Sequence, residues 1–394
     1  MKSSIIISFF TLTTVLAMAQ GNESSLENSA QRLLDPRENQ NLVIGGYGQI
    51  DYNQPFGNSK LNNGNLDVHR LVILVGYHFT DRLQIISEIE FEHVKEVYIE
   101  QAFMNYKLND FINLRGGLVL IPMGIVNEYH EPPTFNGVER PNVDKFIIPT
   151  TWREIGAGIS GTLPGPSLKY QAYIVNGFSG FNEGPEFTGK NGLRGGRQKG
   201  AESIFSHVNY SLKLEYFGLL GFNIGLAGYF GKSQSSLYSG LEKNDNPGIS
   251  TADSSVVGTA MIGLDLQYRI KGLQLRGQLV VNSLGNTMQY NKFTGSDLGS
   301  SMLGYYFEAG YDILHGSGAE GQKLVPFARF ENYNTHLSVD ESIMKNDAYN
   351  RTDITFGIGY WFTSGAVVKA DYQRFNNASG SGSNQFNMGI GFMF

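Results

Sequence analysis

Between Val43 and the last residue, Phe394, apolar side chains return at every second position in segment after segment of about nine to thirteen residues, and no other feature narrows the possible folds so far. A period of two belongs to an extended strand, whose side chains alternate between its two faces. Sixteen such segments are expected: 43–52, 67–79, 82–92, 97–107, 111–121, 152–162, 167–176, 203–215, 222–232, 256–269, 272–282, 302–313, 323–333, 351–362, 365–375 and 384–394. In the last of them Phe386, Met388, Ile390, Phe392 and Phe394 share one face, while Gln385, Asn387, Gly389 and Gly391 share the other. The faces opposite the apolar ones carry Arg70, Glu88, Glu90, Arg115, Lys169, Lys213, Arg276, Arg329 and Lys369. An Arg or Lys turned to lipid at mid-depth costs about 2 to 4 kcal/mol, so charges confined to one parity are those of a water-filled lumen, with the apolar parity facing lipid. A soluble β-sandwich shows the same alternation, and other features must separate the two.

The connections do so. Short turns such as Thr80-Asp81, Pro164 to Pro166, Lys271-Gly272 and Thr363-Ser364 alternate with long segments rich in Gly, Asn, Ser and Lys, at 53–66, 122–151, 177–202, 233–255, 283–301, 334–350 and 376–383; only 93–96 breaks the rule. Periplasmic turns and longer external loops make this asymmetry in an outer-membrane barrel, and the strand length and even strand number agree. Residues 1–19 have one basic residue, an apolar run from Ile5 to Leu16 and small residues at Ala17 and Ala19, the pattern of a secretory signal cleaved before Gln20. Residues 20–42 read as a polar periplasmic extension and 43–394 as the barrel, placed in the outer membrane of a Gram-negative bacterium. No later run of about 18 apolar residues would make a membrane helix. Without Cys the chain has no disulfides and no thiolate chemistry. Loss of the signal leaves 29 basic against 36 acidic residues, which excludes a nucleic-acid partner by charge. The mean hydropathy of -0.21 is what lipid-facing and water-facing residues in equal number average to.

The third external loop, 122–151, is too long to be a mere connection and carries Tyr129, Phe135 and Phe146 with which to pack. It is expected to fold into the mouth of the barrel. Arg140 and Lys145 lie within it, Arg153 opens the strand after it, and Arg115 points inward from the strand before it; these four are the candidate constriction. Against them stand Glu128, Glu131, Glu139 and Asp144, which would cancel much of the positive field if paired with them. Two strands read ambiguously: 302–313 is read with Glu308 and Asp312 inward and Leu303, Tyr305, Phe307 and Tyr311 outward. In 97–107, Glu100 is sent inward because a buried unpaired carboxylate is costly, and its parity takes Tyr98, Met104 and Tyr106 with it, leaving Val97, Ile99, Gln101 and Phe103 opposite.

The segments GGYGQIDY (45–52), EQAFMNYKL (100–108), LRGGLVLIPMG (114–124), VERP (138–141), REIGAGISG (153–161) and YIVNGFSGFN (173–182) resemble the phosphate-selective porin O and P family. The resemblance implies a sixteen-stranded homotrimeric channel in contact with lipid and lipopolysaccharide, with the third loop narrowing the pore and basic residues drawing in anions such as phosphate. Arg140 in VERP and Arg153 in REIGAG are the positions it carries over. The aromatic last strand, ending on Phe394, resembles the signal read by the barrel-assembly machinery. Here the basic residues are spread over many strands with acids among them, instead of forming a dense Arg ladder.

No enzyme can be assembled from these residues. The seven His (69, 78, 93, 130, 207, 315, 336) include no pair at metal-ligand spacing and no HExxH, and the GlyPheSerGly at 177–180 lacks the strand-to-helix setting of a nucleophile elbow. No cofactor and no metal are expected. Arg194, Arg197 and Lys199 in the fourth external loop could hold lipopolysaccharide phosphate, attract anionic solutes or simply be solvated. The expected function is passive diffusion of small hydrophilic solutes; the alternatives are a sugar or general nutrient porin, or an outer-membrane barrel enzyme.

Overall fold

The computed structural model describes residues 33–34, 41–57, 62–319 and 321–394. The expected signal peptide and most of the extension before Leu42 lie outside the described residues. The strands are β1 (Leu42–Phe56), β2 (Asn65–His78), β3 (Leu83–Glu92), β4 (Glu96–Lys107), β5 (Asn113–Leu120), β6 (Arg153–Leu163), β7 (Leu168–Val175), β8 (Ser179–Phe181) and β9 (Asn209–Tyr216). They continue with β10 (Phe222–Lys232), β11 (Gln234–Ser235), β12 (Gly258–Ile270), β13 (Leu273–Gly285), β14 (Ser301–Tyr311), β15 (Lys323–Ser338), β16 (Asn350–Thr363), β17 (Ala366–Asn377) and β18 (Gly382–Met393). Among the described residues, sixteen of these close into one antiparallel barrel, while β8 and β11 pair in parallel outside it. Closure leaves no strand edge without a partner, the condition for crossing lipid. The seam is β1 against β18, running from Tyr47↔Met393 to Phe56↔Asn384 and sealed by Gly46 N→Phe394 O (3.1 Å) and Phe394 N→Gly46 O (2.9 Å). Phe394 is thus part of the closing ladder, and its ring is 72% exposed on the outer surface.

All sixteen expected strands form, and the alternation sorts side chains as read. Leu71, Ile73, Ile262, Leu264, Phe307, Ile354, Phe356, Met388 and Ile390 are exposed on the outer wall, the apolar belt of an outer-membrane barrel. Two expectations need correction. The segment expected from Ser203 becomes strand only at Asn209, because Ser206 N and His207 N donate to the Gln234 side chain (2.6 and 2.7 Å) and hold 203–208 in the loop. In β4, a bulge pairs Glu88 with Gln101 but Ile89 with Ile99, so Glu100 is an extra residue. Parity therefore inverts along the strand. Glu100, Gln101, Phe103 and Asn105 are all buried inward, while Val97, Ile99, Met104 and Tyr106 face out, so Glu100 was placed correctly but Met104 and Tyr106 were not.

At the periplasmic end Leu33 is buried, and the carbonyls of Leu33 and Leu34 accept from His78 Nε2 (2.9 Å) and Gln84 Nε2 (3.0 Å).

Candidate functional site

The loop between β5 and β6 runs through the barrel and is held there by the wall. Asn127 joins its two ends: its Nδ2 donates to Ile121 O (2.7 Å) and Trp152 O (2.9 Å), and its Oδ1 accepts from Trp152 N (2.7 Å). Trp152 then stacks on Phe178 and packs edge-on against Tyr229, each at 4.6 Å between ring centroids. A loop inside a barrel has backbone groups that find no water, and each must be given a partner. The charged wall provides them. Lys369 Nζ donates to the carbonyls of Pro132, Phe135 and Gly137 (2.7, 2.6 and 2.8 Å), Lys213 Nζ to Gly124 O (2.9 Å), and Arg276 to Thr134 O. Asp371 accepts from Val138 N (2.6 Å) and Glu331 from Val143 N, where a short helix, α1 (Val143–Phe146), begins. The close fit requires glycine on the wall: a Cβ at Gly391 would stand 2.5 Å from Pro132 Cβ.

The inward wall residues named from the sequence are therefore mostly not bathed in solvent. Arg70, Glu88, Glu90, Lys213, Arg276, Arg329 and Lys369 all point inward, and all are buried. Arg329 binds Glu308 (3.3 Å) and Glu331 (3.1 Å), so cation and acids neutralise each other. Lys169 lies half-buried towards the periplasmic end. Arg115 is also low in the barrel, donating to Asn105 Oδ1 (3.1 Å) and Tyr173 Oη (3.3 Å). Arg153 pairs with Leu120 at the other end of β5; at about 3.3 Å per residue this is on the order of 15 Å from Arg115. Arg115 does not sit beside Arg140 and Arg153, as had been expected.

Arg140, Lys145 and Arg153 do come together. With Arg194, Arg197 and Lys199 of the fourth external loop they line a cavity of about 750 Å³ above residues 139–151. Among the described residues, nine Lys and Arg side chains line it against four carboxylates, those of Glu90, Glu92, Glu139 and Asp144. Of the acids expected to cancel the arginines, Glu128 is engaged elsewhere, while Glu139 and Asp144 stay at the cavity with amide partners instead of arginine ones. Glu128 takes Lys213 (2.7 Å) and Gln171 (2.5 Å), Asp144 takes Gln278 Nε2 (2.9 Å), and Glu139 takes Asn53 Nδ2 (2.9 Å). Arg197 Nη1 reaches the carbonyls of Pro149, Thr150 and Thr151, and Arg194 Nη1 that of Thr150 (2.6 Å), so the fourth loop is tied down onto the third. Burial pushes Lys145 and Lys199 below the usual lysine range, and the neighbouring Arg194 and Arg197 respectively push them further. Such mutual repulsion is relieved by an anion.

Two contributors were missed from the sequence, Lys190 and Arg351. Arg351 stands across the barrel from Arg153, its guanidinium 4.5 Å from the Phe146 ring centroid, and Phe146 in turn stacks on Tyr333 at 5.3 Å. Its signal was there to read: like Arg153, it opens a strand that returns from an external loop.

No family model matches the chain. A protein of Aquifex aeolicus (strain VF5), described as uncharacterized, is 32% identical over 364 residues, covering 90% of this chain and 80% of its own length. Among solved structures, the outer membrane channel DcaP of Acinetobacter baumannii superposes with a TM-score of 0.56 at 10% identity, over 90% of this chain and 97% of that one. An anion-selective porin from Comamonas acidovorans gives 0.55 at 11% identity, over 90% and 99%. At such identities the likeness is one of fold, that of outer-membrane porins, and it agrees with the apolar outer belt in placing the chain in a Gram-negative outer membrane.

Proposed function

Because the chain belongs to the same family as the Aquifex aeolicus protein and has the barrel of an outer-membrane porin, we propose that it is a non-enzymatic diffusion channel that prefers small hydrophilic anions, phosphate among them. The observation that carries this reading is the sign of the external cavity. A chain with a formal net charge of -6 gathers nine basic side chains against four acidic ones around the cavity on its external side. Charges at a constriction with low-dielectric walls outweigh the distant net charge, because the field is focused there. Arg140, Lys145 and Arg153 are the selectivity element in this reading, joined by Arg194, Lys199 and Arg351. The neutral-sugar alternative needs free aromatic faces along the path; the Phe146 ring is instead covered by Tyr333 and Arg351. A homotrimer embedded in lipid and lipopolysaccharide, inserted by the barrel-assembly machinery through its terminal Phe394, completes the proposal.

The test is the reversal potential of the purified channel in a salt gradient. Anion preference is expected, and exchanging Arg140 and Arg153 together for Glu should move the potential several-fold in permeability ratio towards cations. A wild-type channel that prefers cations, or a double variant with an unchanged potential, rules the reading out.

A further inference from the structure

Beneath the floor of the cavity, Tyr47 of β1, Glu88 of β3, Glu100 of β4 and His130 of the third loop converge in a fully enclosed centre. The Tyr47 hydroxyl lies 2.7 Å from Glu88 Oε1, 3.1 Å from Glu100 Oε2 and 2.8 Å from His130 Nε2. His130 Nε2 is 3.1 Å from Glu100 Oε2 and 3.6 Å from Glu88 Oε1. We propose that this centre is a binding site for a divalent transition metal of the Zn²⁺ class, which pins the third loop to the barrel wall.

Three features converge on that assignment. The first is size. Four ligands about 2.0 to 2.1 Å from a tetrahedral Zn²⁺ are about 3.3 Å from one another; four of the five separations given above are somewhat shorter, at 2.7 to 3.1 Å, and one is 3.6 Å, so a small outward shift of the four groups admits the ion, and the carboxylate and histidine atoms all lie within 4.8 Å of one another. The second is proton supply. His130 Nδ1 faces Asn127 O at 3.2 Å, the outer-sphere bond that fixes the tautomer of a metal-binding histidine and leaves the Nε2 lone pair aimed inward. Three acceptor atoms then share the one hydroxyl proton of Tyr47, and Glu100 Oε1, fully buried, has no Lys, Arg or amide donor within hydrogen-bond distance among the described residues. A cation supplies what the protons do not. The third is support: Gln101 Nε2 holds Glu88 through its other oxygen (2.6 Å), and the bulge that makes Glu100 an extra residue is what brings both side chains inward. Two carboxylates with a neutral imidazole and a phenol balance a charge of +2. Around them Arg70 and Arg153 add positive charge, Arg153 Nη1 standing 3.9 Å from Glu100 Oε1. The competing occupant is a proton on His130 Nε2, which would make the centre an ion pair.

The inference holds whatever solute the channel passes, and its test does not measure transport. The full chain in detergent is stripped with a chelator and titrated with Zn²⁺ alone, then with Co²⁺ alone. One equivalent of Zn²⁺ per barrel and the intense visible absorption of four-coordinate Co²⁺ are expected. His130→Gln and Glu100→Gln should each weaken Zn²⁺ binding by at least about 100-fold, Gln101→Ala by about 10- to 100-fold, and His336→Ala not at all. The unaltered protein decides the matter even if a variant fails to fold: no uptake, or the weak spectrum of six-coordinate Co²⁺, overturns the proposal. So does a full equivalent retained by folded His130→Gln.

Discussion

Two layers of the barrel interior are built from the same residue types and use them in opposite ways. In the deeper layer, where 121–138 crosses the lumen, Lys213, Arg276, Arg329 and Lys369 are each matched by carboxylates or loop carbonyls and are buried. In the external layer, around 139–151, Arg140, Lys145, Arg194 and Lys199 face a common cavity with too few acids to balance them. A buried cation satisfied on all sides is a structural strut. The same cation with its partners withdrawn is a source of field, and what separates the two cases is where the acids go.

The sharpest way to break this contrast is to remove the loop that makes the deep layer. Excising 124–143 should uncover the wall charges and raise single-channel conductance several-fold; a folded barrel whose conductance is unchanged or lower would put the loop outside the conducting path. Next in size is Lys369→Met, which takes the donor from three buried carbonyls at about 1 to 3 kcal/mol each. Its expected effect is a stability loss of several kcal/mol by denaturant unfolding in detergent with the sign of selectivity kept, and a reversed selectivity at full stability would mean that the strut is a field source after all. In the external layer the pattern should invert. Arg351→Gln should leave unfolding nearly unchanged and lower the anion-to-cation permeability ratio by about two-fold to three-fold; a large loss of stability would class Arg351 with the struts. The smallest expected effect is of pH. Lys145 and Lys199 lose their protons below the usual lysine range, so their charge fades at a lower pH than that of an ordinary lysine as pH rises. Anion preference should therefore decline on the alkaline side before ordinary lysines titrate, and a ratio that stays flat there would remove these two from the selectivity element.

The hydrophobic alternation, read together with the asymmetry of short turns and long loops, determined the architecture of this protein. A period of two can be satisfied only by strands, a charge on lipid parity is too costly to tolerate, and a backbone that crosses lipid must close on itself, so sixteen strands, their inward and outward faces and the ends bearing turns and loops were all written in local sequence. The resemblance to a porin family and the position of the third loop brought Arg140, Lys145 and Arg153 into one group, and placed Arg115 with them wrongly. Only the tertiary structure decided the rest. Whether Glu128 would cancel Arg140 or bind Lys213, 85 positions away, depends on where a long loop lies in three dimensions. The inversion within β4 comes from one unpaired residue, Glu100, which no periodic count detects. The convergence of Tyr47, Glu88, Glu100 and His130 joins three strands and a loop, and spacing along the chain carries no trace of it, because pairing strands transmit register to their neighbours while a loop that crosses the lumen is positioned by the wall it meets.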